Sequence, residues 1–172
     1  MAGDVLDRPI LETERLVFHP FTPDDFGLLA ELHSDPQVQR HLGGMWTDEV
    51  IQHRLNVYVS DQAELGYSKW KAYLRDGTFV GRAGVTVDRQ ITEPELGYSF
   101  ARAAWGRGLA SEAAQAIVDW MFARTSVTGR IGFAAVANKP SRRVLEKVGM
   151  MFVDERELHG DLCAYYRLDR PA

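Results

Sequence analysis

Gly106, Arg107 and Gly108 stand directly before a regular apolar pattern, in ARAAWGRGLASEAAQAIVDW from Ala101 to Trp120. Glycines ahead of a helix can do chemistry with the backbone alone. The first N–H groups of a helix have no internal partner, and its dipole favours negative charge there. Glycine lets a phosphate approach the chain closely. Main-chain donors of Gly106, Arg107, Gly108, Leu109 and Ala110 could therefore cradle a pyrophosphate. Arg107 either adds charge or is simply solvated. The competing reading is a glycine-rich turn used only for chain reversal. Two common phosphate ligands are disfavoured. There is no GxxxxGK[ST] string, and Ser111 stands where a GxGxxG fingerprint needs its last glycine.

A second stretch, NKPSRRVLEKVGM from Asn138 to Met150, reads as a helix start just after the next apolar strand. Asn138 and Ser141 are polar groups at that start, and Arg142 and Arg143 follow. Each alone is explained by capping or by a solvated helix face. Two adjacent parallel strands, each feeding a helix N-terminus, would bring both starts to one edge of a sheet. Taken together the two stretches then form one site for a long phosphorylated ligand.

The elements that must position these residues can be read along the chain. Leu16 to Phe18 is a short strand ending near Pro20. Thr22, Pro23, Asp24 and Asp25 suit a helix N-terminus, with an apolar stripe to about His33. SDPQVQRHLGG is a short helical turn and a loop. Thr47, Asp48 and Glu49 start a longer helix to about Ala63, with Ile51, Leu55, Tyr58 and Val59 on its buried face. YSKWKAYL alternates, Asp76–Gly77 signals a hairpin, and TFVGRAGVTV resumes as a strand. Glu95 to Phe100 is a further strand. Ile131 to Ala137 is a continuous apolar run suited to a central strand. Two terminal strands turn at Gly160–Asp161. The result is a mixed α/β domain around one sheet.

Bulk numbers fit that picture. With 172 residues, 45% hydrophobic and 26% charged, the chain has the length and composition of one globular domain. A formal charge of −4 does not suit a general nucleic-acid binder. The single cysteine, Cys163, excludes an internal disulfide and CxxC metal sites, so a reducing cytoplasm is the expected compartment. His19, His33, His41, His53 and His159 lack metal-ligand spacing, so no metal is expected. The opening MAGDVLDRPI lacks the basic start and apolar run of a leader, and no run is long enough to span a membrane. A homodimer is compatible with the sequence, although no interface is located by it.

ELGYSF, WGRGLASEA and ANKPSRRVLEKVGM, with ETERLVFHPFTPDD near the start, resemble the GCN5-related N-acetyltransferases. Within them the nearest likeness is to the ribosomal-protein N-acetyltransferases. It spans about Leu11 to Leu168. The resemblance implies a mixed sheet with a central splayed parallel strand pair, flanked by about four helices. It implies acetyl-CoA as cosubstrate and a primary amine as acceptor, either a protein N-terminal α-amine or a small molecule. Tyr98, Ser99 and Phe100 would border the pantetheine arm. The loop from Trp105 to Ala110 would hold the pyrophosphate, with no side-chain contact assigned to Trp105. Asn138 and Ser141 would sit near the thioester, and Arg142 or Arg143 would reach the ribose phosphate.

Acetyl transfer to an amine needs a base for the ammonium, donors for the oxyanion and an acid for the departing thiolate. By resemblance Glu95 is the candidate base, against the reading of a surface glutamate diluted by Glu93. Ser141 is the candidate acid or relay, with water or direct thiolate release as rivals. Met150, Met151 and Phe152 stand where relatives carry a tyrosine, and none can donate a proton. Trp46, in HLGGMWTDE, either lines the acceptor pocket or covers the core. A non-catalytic acyl-CoA sensor would keep the glycine loop without needing Glu95 or Ser141.

Overall fold

Alternation along the middle strands gives one sheet two chemically different faces. The structure, a computed structural model, describes residues 8–87 and 92–172. The first seven residues of the opening stretch read for a leader lie outside them. In chain order the strands are β1 (Leu11–Glu12), β2 (Leu16–Pro20), β3 (Lys69–Leu74), β4 (Phe79–Val87), β5 (Pro94–Phe100), β6 (Gly129–Ala135), β7 (Met151–Leu158) and β8 (Asp161–Asp169). The helices are α1 (Phe26–His33), α2 (Pro36–Gln39), α3 (Asp48–Leu65), α4 (Leu109–Arg124) and α5 (Lys139–Lys147), with a 3-10 turn at Arg102–Ala104.

The strand order is β1-β2-β3-β4-β5-β6-β8-β7. Neighbours are antiparallel throughout, except that β5 and β6 run parallel. That parallel pair shares one rung, Glu95 with Ile131. Beyond it β5 continues to Phe100 and β6 to Ala135 with no further pairing between them among the described residues, so the central pair splays as the mixed-sheet expectation required.

Side chains of neighbouring residues in a strand point to opposite faces. Trp70, Ala83, Val85, Leu96 and Phe100 lie on one face and join a core with Leu109, Ile117 and Met121 of α4 and Leu145 of α5. Each such buried aliphatic side chain contributes about 1.5–3 kcal/mol relative to exposure. The other face carries Lys69, Lys71, Arg82 and Glu95, by the same register. Above it a smaller apolar cluster of Phe21, Leu29, Ile51, Leu55 and Tyr58 ties α1 to α3.

Local chemistry sets the helix ends. Thr47 Oγ1 accepts from the Val50 N–H at 3.3 Å and starts α3. Gly66, at φ +77°, ends it two residues later than the sequence suggests. α1 starts at Phe26, after the expected Thr22 cap. Asp25 Oδ2 instead accepts from Thr22 N and Oγ1 and from Lys71 Nζ, which folds TPDD into a turn. β6 begins and ends two residues earlier than the apolar run Ile131–Ala137 implies. No described helix is long and apolar enough to cross a membrane.

Candidate active site

The gap beside β5 opens into a cleft of about 670 Å³. Tyr98, Ser99 and Phe100 of β5 form one wall, and Asn138, Pro140 and Ser141 at the start of α5 form the other. The glycine loop closes one end with Trp105, Gly106 and Gly108, followed by Leu109, Ala110 and Ser111 of α4. Gly108 caps α4 at φ +76° and Gly106 has φ +72°, a left-handed backbone that favours glycine. Nothing lies within 4 Å of where a Cβ on Gly106 would stand, so the loop backbone is open to close approach. The glycine cap of α4 makes no side-chain hydrogen bond to the first-turn N–H groups, and the residues of that turn, Leu109, Ala110 and Ser111, line the cleft.

The loop is held from outside. Arg15 Nη1 donates to the Arg107 carbonyl at 2.7 Å, and Arg15 Nε pairs with Glu112 in the first turn of α4 at 2.6 Å. Trp105, itself 47% exposed, donates its indole N–H to the Phe100 carbonyl at 2.8 Å and braces the loop on the end of β5.

On the charged face of the sheet lies a smaller cavity of about 160 Å³. Tyr98, Asn138 and Ser141 line both spaces, so the two join at that point. The Tyr98 hydroxyl lies 3.0 Å from Ser141 Oγ and donates to the Ser141 carbonyl at 3.0 Å. Burial pushes the Tyr98 phenol upward, against the Ser141 hydrogen bond that lowers it, so it is a neutral hydroxyl at ordinary pH.

Glu95 lines the small cavity. Its Oε2 pairs with Lys69 Nζ at 3.0 Å, and Lys69 also donates to the Glu95 carbonyl at 3.2 Å. Lys69 is buried. Burial pulls its pKa down, and the Glu95 carboxylate pulls it back up. Oε1 is the oxygen not committed to Lys69. A Cβ on Gly97 would come within 2.7 Å of Oε1 and 2.6 Å of Lys69 Nζ, so glycine at this place makes room for the pair.

Next to it Arg82 Nε donates to His33 Nε2 at 3.2 Å. A guanidinium only donates, so His33 Nε2 accepts and its proton sits on Nδ1, 3.2 Å from Gln39 Oε1. Burial, then the neighbouring Arg82, brings the His33 pKa down to about 3. The ring is therefore neutral. It stacks on Trp46 at 3.9 Å between centroids.

A family model described as an acetyltransferase (GNAT) domain matches residues 15–151 of this sequence. The chain belongs to the GNAT acetyltransferase family. YkkB of Bacillus subtilis strain 168, an uncharacterized protein, is 35% identical over 133 residues, covering 75% of this chain and 77% of its own. YnaD of the same strain, an uncharacterized N-acetyltransferase, is 31% identical over 144 residues, 81% of each chain. Among solved structures, RimL, a ribosomal L7/L12 α-N-protein acetyltransferase in complex with coenzyme A, superposes with a TM-score of 0.77. It covers 94% of this chain and 98% of its own at 15% identity, a likeness of fold.

This GNAT protein is an N-acetyltransferase. Its structure brings most of the sequence-selected residues to one place. Tyr98, Ser99, Phe100, Trp105, Gly106, Gly108, Leu109, Ala110, Asn138 and Ser141 line the GNAT cleft, and Glu95 and Trp46 line the cavity that joins it. Asn138 also caps α5, its Oδ1 accepting from Ser141 N at 3.3 Å. The three selected arginines are not among the lining residues. Arg107 is exposed and is held through its carbonyl. Arg142 turns to the Tyr166 hydroxyl at 3.1 Å and the Val136 carbonyl at 3.3 Å. Arg143 is exposed on α5.

Sequence reasoning passed over Ser111, Lys69, Arg82 and Arg54, which are polar members of the lining. For Lys69 and Arg82 a signal existed: a lysine and an arginine inside otherwise apolar strands are rarely buried without a task. Among the described residues no three His, Cys, Asp or Glu side chains gather as a metal site.

Proposed function

We propose that this GNAT protein moves an acetyl group from acetyl-CoA to a primary amine, a protein N-terminal α-amine or a small-molecule amine. The observation that carries the reading is the junction of two spaces at Tyr98, Asn138 and Ser141. One is long, backed by glycine and ended by a helix N-terminus. The other is small and holds a carboxylate. Acetyl-CoA, when bound, supplies an activated thioester carbonyl. The cleft residues fit it: bare glycine backbone and α4 N–H groups suit the pyrophosphate, and the β5 wall from Tyr98 to Phe100 suits the pantetheine arm.

The chain's own groups then divide the work. Lys69 fixes the Glu95 carboxylate through Oε2, and Oε1 is left to take a proton from the incoming ammonium. The edge of β5 past its single rung with β6 presents alternate backbone N–H groups to the gap, where they stabilise developing negative charge. Ser141, hydrogen-bonded to Tyr98, stands at the junction to relay a solvent proton to the departing sulfur, giving up its own and taking the replacement, so that it ends as the neutral hydroxyl. Arg142 and Arg143 are left out of this scheme as cofactor contacts.

The test is release of free CoA thiol from acetyl-CoA across peptide N-termini, polyamines, aminoglycosides and amino acids. Amine-dependent release is expected. Glu95→Gln should lower turnover by about two orders of magnitude, the scale of general-base catalysis, while acetyl-CoA still raises the melting temperature. Undiminished turnover in that variant removes Glu95 from the mechanism. Binding without release over any amine favours a sensor of acyl-CoA.

A further inference from the structure

We infer that the amine accepted in the small cavity carries a carboxylate, and that Arg82 and Arg54 receive it. The inference rests on the N-acetyltransferase reading above and adds the chemical class of the acceptor. Its ground is charge. Arg82 is only 5% exposed. A buried guanidinium without an anion is strongly unfavourable. Among the described residues no carboxylate pairs with it, and the nearby Glu95 gives Oε2 to Lys69.

The partner Arg82 does have is uncharged. His33 takes its Nε–H, and Gln39 fixes the His33 tautomer from behind. This arrangement orients the guanidinium without neutralising it, and leaves its terminal nitrogens for the cavity it lines. Arg54, exposed on α3, lines the same cavity. Both guanidinium groups lie on Trp46, with their carbons 4.7 Å (Arg54) and 5.2 Å (Arg82) from the ring centroid. Trp46 is thus a positioning residue that sets two cations side by side.

Lys69 and Glu95 cancel, so among the described residues two arginines face one remaining lining carboxylate, Asp161. Polyamines and aminoglycosides would meet like charge here. A carboxylate matches the paired N–H donors of a guanidinium. The volume of about 160 Å³ suits a compact aminocarboxylate of amino-acid size, not several residues of peptide.

Two measurements test this. In the first, thermal shifts compare N-acetylglycine, N-acetyl-β-alanine and N-acetylglutamate with the corresponding amides. The acids should stabilise the protein and the amides should not. Arg82→Met and Arg54→Gln should each weaken the acid by about tenfold, the loss of a charge-assisted contact. Arg54→Gln, at an exposed position, keeps the test open if Arg82→Met does not fold. Equal shifts for acid and amide overturn the inference.

In the second, CoA release is followed with amino acids, amino-acid amides and peptides that begin with Asp or Glu. Free amino acids should exceed their amides in kcat/KM, chiefly through KM, and Arg54→Gln should shrink that ratio. Amides acetylated as well as acids overturn the carboxylate and leave the enzyme reading standing. A preference for acidic-led peptides overturns the small acceptor. No release with any amine, acetyl-CoA being bound, sinks the enzyme reading, and the thermal shifts then decide the arginine site by themselves.

Discussion

Acid should loosen this protein through one buried ring. His33 is 1% exposed, and its pKa falls from 6.5 to about 3, first through burial and then through Arg82. In the unfolded chain the same ring titrates near the ordinary value of about 6.5. As pH drops below that value, the unfolded state gains a proton that the folded state refuses. The stabilisation is therefore complete above about pH 6.5 and drains away as pH falls towards about 3. Each unit of difference corresponds to about 1.4 kcal/mol, so the ring alone removes about 2 kcal/mol between about pH 6 and pH 4.5. Urea unfolding of the parent and of His33→Asn across that window measures it. Asparagine can accept from Arg82 and donate to Gln39, but it does not titrate. The variant should be weaker at neutral pH by about 1–3 kcal/mol, from imperfect hydrogen bonds. Its stability should also fall less steeply with acid, by about 2 kcal/mol over the window. Parallel pH profiles would refute the neutral, doubly bonded ring.

Gly97→Ala should drive a methyl into Lys69 Nζ and Glu95 Oε1, at 2.6 and 2.7 Å. Stability should drop by about 1–2 kcal/mol, with turnover falling further than acetyl-CoA binding; unchanged kcat would show that the pair can move aside without cost. Glu112→Gln strips the charge that Thr13 and Arg15 converge on. About 1 kcal/mol of stability should go in urea unfolding, with faster amide exchange in the glycine loop that Arg15 holds. Ser141→Ala should lower turnover with acetyl-CoA binding kept, and Tyr98→Phe should mimic it if the hydroxyl pair acts as a unit. Full activity in Ser141→Ala would leave proton delivery to water.

What the sequence disclosed was local. The glycine loop, the Asn138 start of α5 and the Thr47 cap depend on residues within a few places of each other, so spacing alone reveals them. The start of α1 escaped because Asp25 answers to Lys71, a partner 46 residues away. The cavity's electrostatics escaped for the same reason. Lys69 meets Glu95 only through the register of β3, β4 and β5, and Arg82 meets His33 only once α1 lies across the sheet. Arg142 and Arg143 illustrate the reverse. Adjacent basic residues at a helix start suggested a phosphate; in the structure Tyr166 on β8 accepts from Arg142, and Arg143 is exposed on α5.

The lone rung between Glu95 and Ile131 has a mechanical meaning. The sheet is two hydrogen-bonded plates, β1 to β5 and β6 to β8, with a sparsely paired seam between them. Few backbone bonds cross that seam, so its rigidity falls to the packing of α4 and α5 and to the Tyr98–Ser141 contact. That sparsely paired line runs through the place where two reactants must be aligned. Whatever spans the gap also welds the plates, and its binding energy is spent partly on stiffness. Protection from solvent exchange along β5 and β6 should rise on ligation, while the β3–β4 ladder, inside one plate, keeps its rates.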